Sequence, residues 1–175
     1  PDGIARSNVP GCEVIRPVEI FGGKADLTPE ESTQKSFGLV YSPMNQFNIA
    51  LDWWEIERVN TIRSAPRDVL ISNYDLFRDN WIRDGSGEVI AIDRRFINSG
   101  GSLMRGLELD ANLNGEFAGG RWNVGLNGSY IHQFHTKALE SLPYSGNLVG
   151  RYVRYFNLPI RWKHTLNAGY TRGNW

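Results

Sequence analysis

This sequence has little that could crosslink it or anchor it through a helix. It holds one cysteine in 175 residues, Cys12, set among glycine and proline. An unpaired thiol and one half of a loop disulfide are both open readings, the partner in the second case lying upstream. No run of about 18 apolar residues occurs, which excludes a transmembrane helix. Charge of one sign is missing too. The 19 basic residues meet 19 acidic ones, so the overall balance gives no reason to expect nucleic acid. A CxxC pair, a phosphate loop and a nucleophile motif are absent. His132, His135 and His164 lack metal-ligand spacing, with His135 expected in a loop. We therefore expect no catalytic residue, no metal and no cofactor. The first residue is not Met, and the last residues read as mid-strand. The expectation is a piece of a longer protein.

What is present is alternation. Aromatics make up 12% of the chain, with six Trp, and there are 19 Gly. Residues 1–34 carry prolines, glycines and no sustained period, and are expected to form a loop. KSFGLVYS (35–42) places Phe37, Leu39 and Tyr41 on one face. After the breaker at 43–46, FNIALDWWEIE (47–57) sets Phe47, Ile49, Leu51 and Trp53 against Asn48, Ala50, Asp52 and Trp54. Alternation returns at Leu103–Leu113 and again in RWNVGLNGSYIHQF. A further strand is expected over 146–155 and a last one over 160–171. That makes six principal strands of roughly 8–13 residues, with connections that alternate between short and longer. An up-and-down sheet would gather the short turns at one edge. Residues 58–102 form a long excursion, with a short helix expected at 64–73, capped by Ser64, and a small hairpin at 81–93. Loops of this length are usually functional or disordered.

A soluble β-sandwich would bury the apolar face, whereas a membrane barrel turns it to lipid. Three features favour the barrel. The strands are of the length that crosses a bilayer, about 9–11 residues. The polar face is small, with Ser36, Gly38, Asn48, Ala50, Gly106, Asn112, Gly125 and Asn127, as though something packs close to the wall. Tyr41, Trp53, Trp122, Tyr130, Trp162 and Tyr170 are expected near strand ends, where an aromatic girdle would meet the two water interfaces. The fold class expected is all-β, an antiparallel up-and-down transmembrane β-barrel segment. An open edge cannot exist in hydrocarbon, so about six strands require neighbours from a larger barrel.

GGKADLTPEESTQKSFGLVYSP resembles a segment of the TonB-dependent outer-membrane receptor family, through Gly23, Leu27, Pro29, Glu30, Ser32, Gly38-Leu39-Val40 and Ser42-Pro43. LDWWEIERVNTI, MRGLELDANLNG, GRWNVGLNGSYI and PIRWKHTLNAGYTRGNW are similar to strands that follow in that family. The family's Asn is Lys24 here. The resemblance implies a barrel of about 22 strands with a plugged lumen, of which this chain is part of the C-terminal half. It implies a bacterial outer-membrane location and uptake of an iron-siderophore, haem, cobalamin or sugar. The implied partners are outer-membrane lipid, the plug domain of the same protein, the TonB complex through the N-terminal region, and a small-molecule ligand. Residues 1–34 and 58–102 would be extracellular loops. The rival readings are a general porin or other outer-membrane barrel, and a soluble β-sandwich binding module.

Candidate sites follow from the two faces. Asn48, Asp52, Glu108, Asp110, Asn112 and Asn127 are expected to face the lumen or plug. Glu108 and Asp110 would stand about 6.5–7 Å apart, within the range of an inverting glycosidase pair. Lumen-lining carboxylates bonded to the plug or water are the preferred reading. The excursion carries Arg58, Arg63, Arg67, Arg78, Arg83, Arg94 and Arg95 among a nearly equal number of acids. Mutual charge pairing is the preferred reading there. Arg63, Arg67, Tyr74 and Trp81 are the candidates for ligand contact, since guanidinium captures carboxylate or catecholate oxygens and aromatic rings stack on flat ligands.

Overall fold

A computed structural model describes residues 9–10, 17–152 and 158–173. Cys12 lies outside the described residues, as do positions 153–157 of the expected fifth strand. In chain order the elements are β1 (Val18–Ile20), β2 (Glu31–Met44), β3 (Phe47–Val59), β4 (Ile62–Ser64) and α1 (Arg67–Ser72). A 3-10 helix (Tyr74–Asn80), β5 (Trp81–Arg83), β6 (Val89–Asp93) and β7 (Phe96–Asn98) follow. The series closes with β8 (Gly101–Phe117), β9 (Gly120–Lys137) and β10 (Trp162–Thr171).

The chain divides into two compact units. One holds Ser32–Arg58, Ser102–Lys137 and the residues from Pro143 onward. It is built on a single sheet in the order β10-β9-β8-β3-β2. Its register shows in pairs. Trp162 faces Tyr130 and Thr171 faces Arg121 across β10 and β9, which run antiparallel. Gln46 O accepts from Asn114 N at one end of β3 and β8, and Glu55 meets Arg105 at the other, so these strands also run antiparallel. Two-residue turns join β2 to β3 and β8 to β9. At the second, Ala118 and Gly119 both have positive φ, 50° and 74°, the twist that suits a tight hairpin.

The strands are longer than the alternation alone indicates. β2 starts at Glu31, not at residue 35, and runs through Pro43. It is an edge of the described sheet, where a missing N–H is tolerated. The strand expected over 146–155 is not formed in its described part. Residues 146–152 turn instead, with Gly150 at φ 77° and Arg151 N donating to Leu148 O at 3.0 Å. Leu148-Val149-Gly150 lacks a period of two, and glycine takes the left-handed conformation at little cost. The long sheet thus has five described strands rather than six.

The other unit draws on the described residues up to Glu31, Val59–Gly101 and Ala138–Leu142. It has its own apolar core of Val9, Ala65, Leu70, Phe77, Trp81, Val89 and Ile92. A three-stranded sheet, β1-β6-β5, pairs β1 with β6 in parallel and β5 with β6 in antiparallel fashion. Asp84 fixes the β5–β6 turn by accepting from Ser86 N at 2.9 Å and Glu88 N at 3.0 Å. β4 and β7 form a separate ribbon. Ser64 does not cap α1. It belongs to β4, and its hydroxyl donates to Arg94 O at 2.7 Å. Pro66 stands at the N-cap, and α1 covers only the middle of the stretch expected to be helical. Residues 17–30 are not a free loop, because β1 joins the sheet and Glu30 accepts from Ile62 N at 2.5 Å.

Candidate functional site

The small polar face is knit together by its own side chains. Asp110 accepts from Asn112 Nδ2 at 2.6 Å and also from Asn127 Nδ2, on the neighbouring strand. Asn48 donates to Ser42 Oγ at 2.8 Å. Asp52, Glu108, Asp110 and Asn127 all line one open recess of about 720 Å³. Five of the six expected residues therefore meet around one recess and its hydrogen bonds, and Asn48 lies apart beside Ser42. The glycines of this face have a reason visible within the sheet. A Cβ at Gly38 would fall 1.9 Å from Asp52 Oδ1, and one at Gly106 would fall 2.4 Å from the Trp54 ring. Neighbouring side chains lie flat where those glycines leave room.

The opposite face is apolar and uncovered. Phe37 is 67% exposed and Leu166 67%. Leu107 and Val124 are exposed, and Leu109, Trp122 and Leu126 are half-buried. Trp162 stacks beside Tyr130 with centroids 6.4 Å apart, and Tyr170 pairs with Trp122. The Trp162 ring lies over Gly128 and the Trp122 ring over Gly115. Trp162 Nε1 donates to His164 Nδ1 at 2.9 Å, and Tyr170 OH donates to Phe117 O at 3.1 Å. The aromatic pairs sit at 122 and 130 on β9, and at 170 and 162 on β10. At ~3.3 Å per residue that separation is about 26 Å along a strand. The longer strands correct one expectation. Trp53 sits at the middle of β3 and Tyr130 well inside β9, not near strand ends. The strands continue past this aromatic row into charged residues.

The excursion places its candidates in structural work. Trp81 is 4% exposed and belongs to the core. This corrects the expectation of a stacking surface, although its Nε1 has no partner among the described residues. Tyr74 packs against that core, 6.1 Å from the Trp81 ring, and its hydroxyl accepts from Arg83 at 3.0 Å. Arg63 donates to Ser99 Oγ at 3.0 Å and to Ala138 O at 3.1 Å. Arg67 lies 3.8 Å from Glu19. The four do not form one exposed cluster. Ion pairs do bind the unit, as in Arg94 with Glu19 at 2.5 Å and Arg95 with Asp93 at 2.8 Å. The Arg95 hydrogen bonds hold Asp93 down at about 2, helped by Lys24 at 3.5 Å. The apolar core was not foreseen beside them.

The family model for the TonB dependent receptor-like β-barrel matches residues 5–175. The chain belongs to this family. No curated protein and no solved structure matched the chain. The TonB-dependent receptor family consists of outer-membrane transporters and receptors rather than enzymes. In this receptor barrel segment the described residues include no group of His, Cys, Asp or Glu arranged to hold a metal. His135 lies in β9, not in a loop, and its Nδ1 is 2.8 Å from Ser145 O. Sequence reasoning missed one row altogether. Lys35 and Arg105 both pair with Glu55, at 2.9 and 2.5 Å. The signal was available: these charges occupy the apolar phase of β2, β3 and β8, two residues beyond Phe37, Trp53 and Leu107.

Proposed function

We propose that this chain is part of the wall of an active-transport receptor in the bacterial outer membrane. The receptor takes up an iron-siderophore complex or a similarly scarce nutrient, with energy from TonB. The apolar face meets lipid. Asn48, Asp52, Glu108, Asp110, Asn112 and Asn127 face the lumen and the plug domain of the same protein. The TonB complex acts through the N-terminal region, and the excursion at 58–102 faces outward to the small-molecule ligand. Within it, Arg63, Arg67 and Tyr74 remain the candidates for ligand contact.

The observation that carries this reading is a sheet with long strands and one exposed apolar face. Hydrocarbon solvates such a face without a second protein layer. Adjacent tryptophans test it. Trp53 shares the face of Phe37, whereas Trp54 lies over Gly106 on the other face. In vesicles with brominated acyl chains, Trp53→Phe should remove a quenched fluorescence component and Trp54→Phe should leave it. Equal quenching contributions would end the face assignment. Uptake of labelled ferric siderophores should require both this gene and a functional TonB. Uptake unchanged by loss of either would remove the transport role.

A further inference from the structure

We propose that Lys24, Asp26 and Phe96 form a binding site for a small zwitterion that carries an aromatic ring, a free aromatic amino acid. The site lies wholly within the unit that holds the excursion. It needs neither the face assignment nor the identity of the transported cargo. Two stretches of chain build it. Phe96 N donates to Gly22 O at 2.8 Å. The Asn98 amide meets Thr28 twice, accepting from its N–H at 2.8 Å and donating to its carbonyl at 2.7 Å. Asn98 Nδ2 also donates to Asn60 O at 2.9 Å. Residues 22–28 are thereby held against 96–98 before any ligand arrives. Between them lies a recess of about 310 Å³, with Leu27 and Ile97 in its lining beside Lys24, Asp26 and Phe96. That is the small end of the usual range for ligand pockets, about 300–1,000 Å³, and suits one small molecule.

The charges decide the class of ligand. Lys24 Nζ stands 3.5 Å from Asp93 Oδ2 and makes no hydrogen bond among the described residues. Asp93 is already engaged by Arg95 at 2.8 Å. Asp26 makes no hydrogen bond or ion pair among the described residues, though its charge reaches Arg95. Two cations, Lys24 and Arg95, thus balance two anions, Asp26 and Asp93. Glu30 is outside the lining, and its carboxylate accepts from Ile62 N. An anionic ligand would satisfy Lys24 but meet a like charge in Asp26. A cationic one would do the reverse. A zwitterion brings a carboxylate to the ammonium and an ammonium to the carboxylate together. The Phe96 ring is 43% exposed and offers an aromatic side chain a face to pack on, with Leu27 and Ile97 beside it.

The test is calorimetric titration of the full receptor in detergent micelles with three probes that share one ring: phenylalanine, phenylpropanoate and phenylethylamine. Phenylalanine should bind about tenfold more tightly than either singly charged probe. Lys24→Met should remove its advantage over phenylethylamine, and Asp26→Asn its advantage over phenylpropanoate. Phe96→Ala should weaken all three, and Asp68→Asn, on α1, should change none. Each variant is read as a ratio between probes in one sample, so partial loss of folded protein leaves the reading intact. Failure of phenylalanine to bind would overturn the site. So would equal affinity of wild type for the three probes, or ratios unmoved by Lys24→Met and Asp26→Asn. Methyl glucoside should not compete. Displacement of phenylalanine by this neutral ring would make the recess a sugar site and end the assignment. Siderophore uptake is measured separately, so failure here leaves the transport reading standing.

Discussion

Asp93 sets an acid limit for the excursion. Its carboxylate sits under Arg95, accepts from the Arg95 backbone, and is held at about 2. A lowered carboxylate pKa adds stability above the unfolded value and loses it as pH falls through the folded one. Stability should therefore decline between about pH 4 and pH 2, by roughly 1–2 kcal/mol after allowing for the exposure of Arg95. Asp93→Asn should flatten that decline. Hydrogen exchange at Leu70 and Ile92 across this range checks it. Glycines give a second contrast at this scale. At Gly106 a Cβ would meet the Tyr130 carbonyl oxygen at 2.6 Å, and backbone cannot swing aside. Gly106→Ala should cost about 1–3 kcal/mol, whereas Gly85→Ala, with nothing within 4 Å, should stay within about 0.5. Melting temperatures in detergent would show the difference.

Among the elements, the β8–β9 turn carries avoidable strain. Ala118 has φ 50°, a conformation that disfavours an L side chain with no polar group to compensate. Ala118→Asn should stabilise the hairpin by about 0.5–1 kcal/mol, read as a raised unfolding midpoint. The long strands were legible because a period of two runs through Phe37–Tyr41, Phe47–Trp53 and Trp122–Leu126. Their ends were not, since Glu31–Gln34 and Gly101–Ser102 pair through backbone while their side chains show no apolar phase. Leu148-Val149 looked like strand only by composition. Of the site, the cluster of Asp110, Asn112 and Asn127 followed from phase alone. Trp81 did not, because an aromatic in a charged loop reads as surface until the packing of Leu70 and Ile92 around it is seen.

For the whole molecule, the two sheet faces must answer differently to charge. Leu126 lies midway between Trp122 and Tyr130 on the apolar face. In lipid vesicles Leu126→Arg should cost roughly 2–4 kcal/mol. Asn127→Ser removes one hydrogen bond and should cost about 0.5–1.5 kcal/mol. Urea unfolding from vesicles would compare them, and similar penalties would contradict the inside-out polarity. The described sheet ends in β2 and β10, whose outer backbone groups need partners in hydrocarbon.

The self-contained packing around Leu70 and Ile92 has an evolutionary corollary. It enters the wall at Val59 and leaves at Gly101, on strands that are already neighbours. A transplant of this cassette, together with residues 17–31 and 138–142 that complete its unit, would exchange one whole core without shifting the register of a single strand of the long sheet.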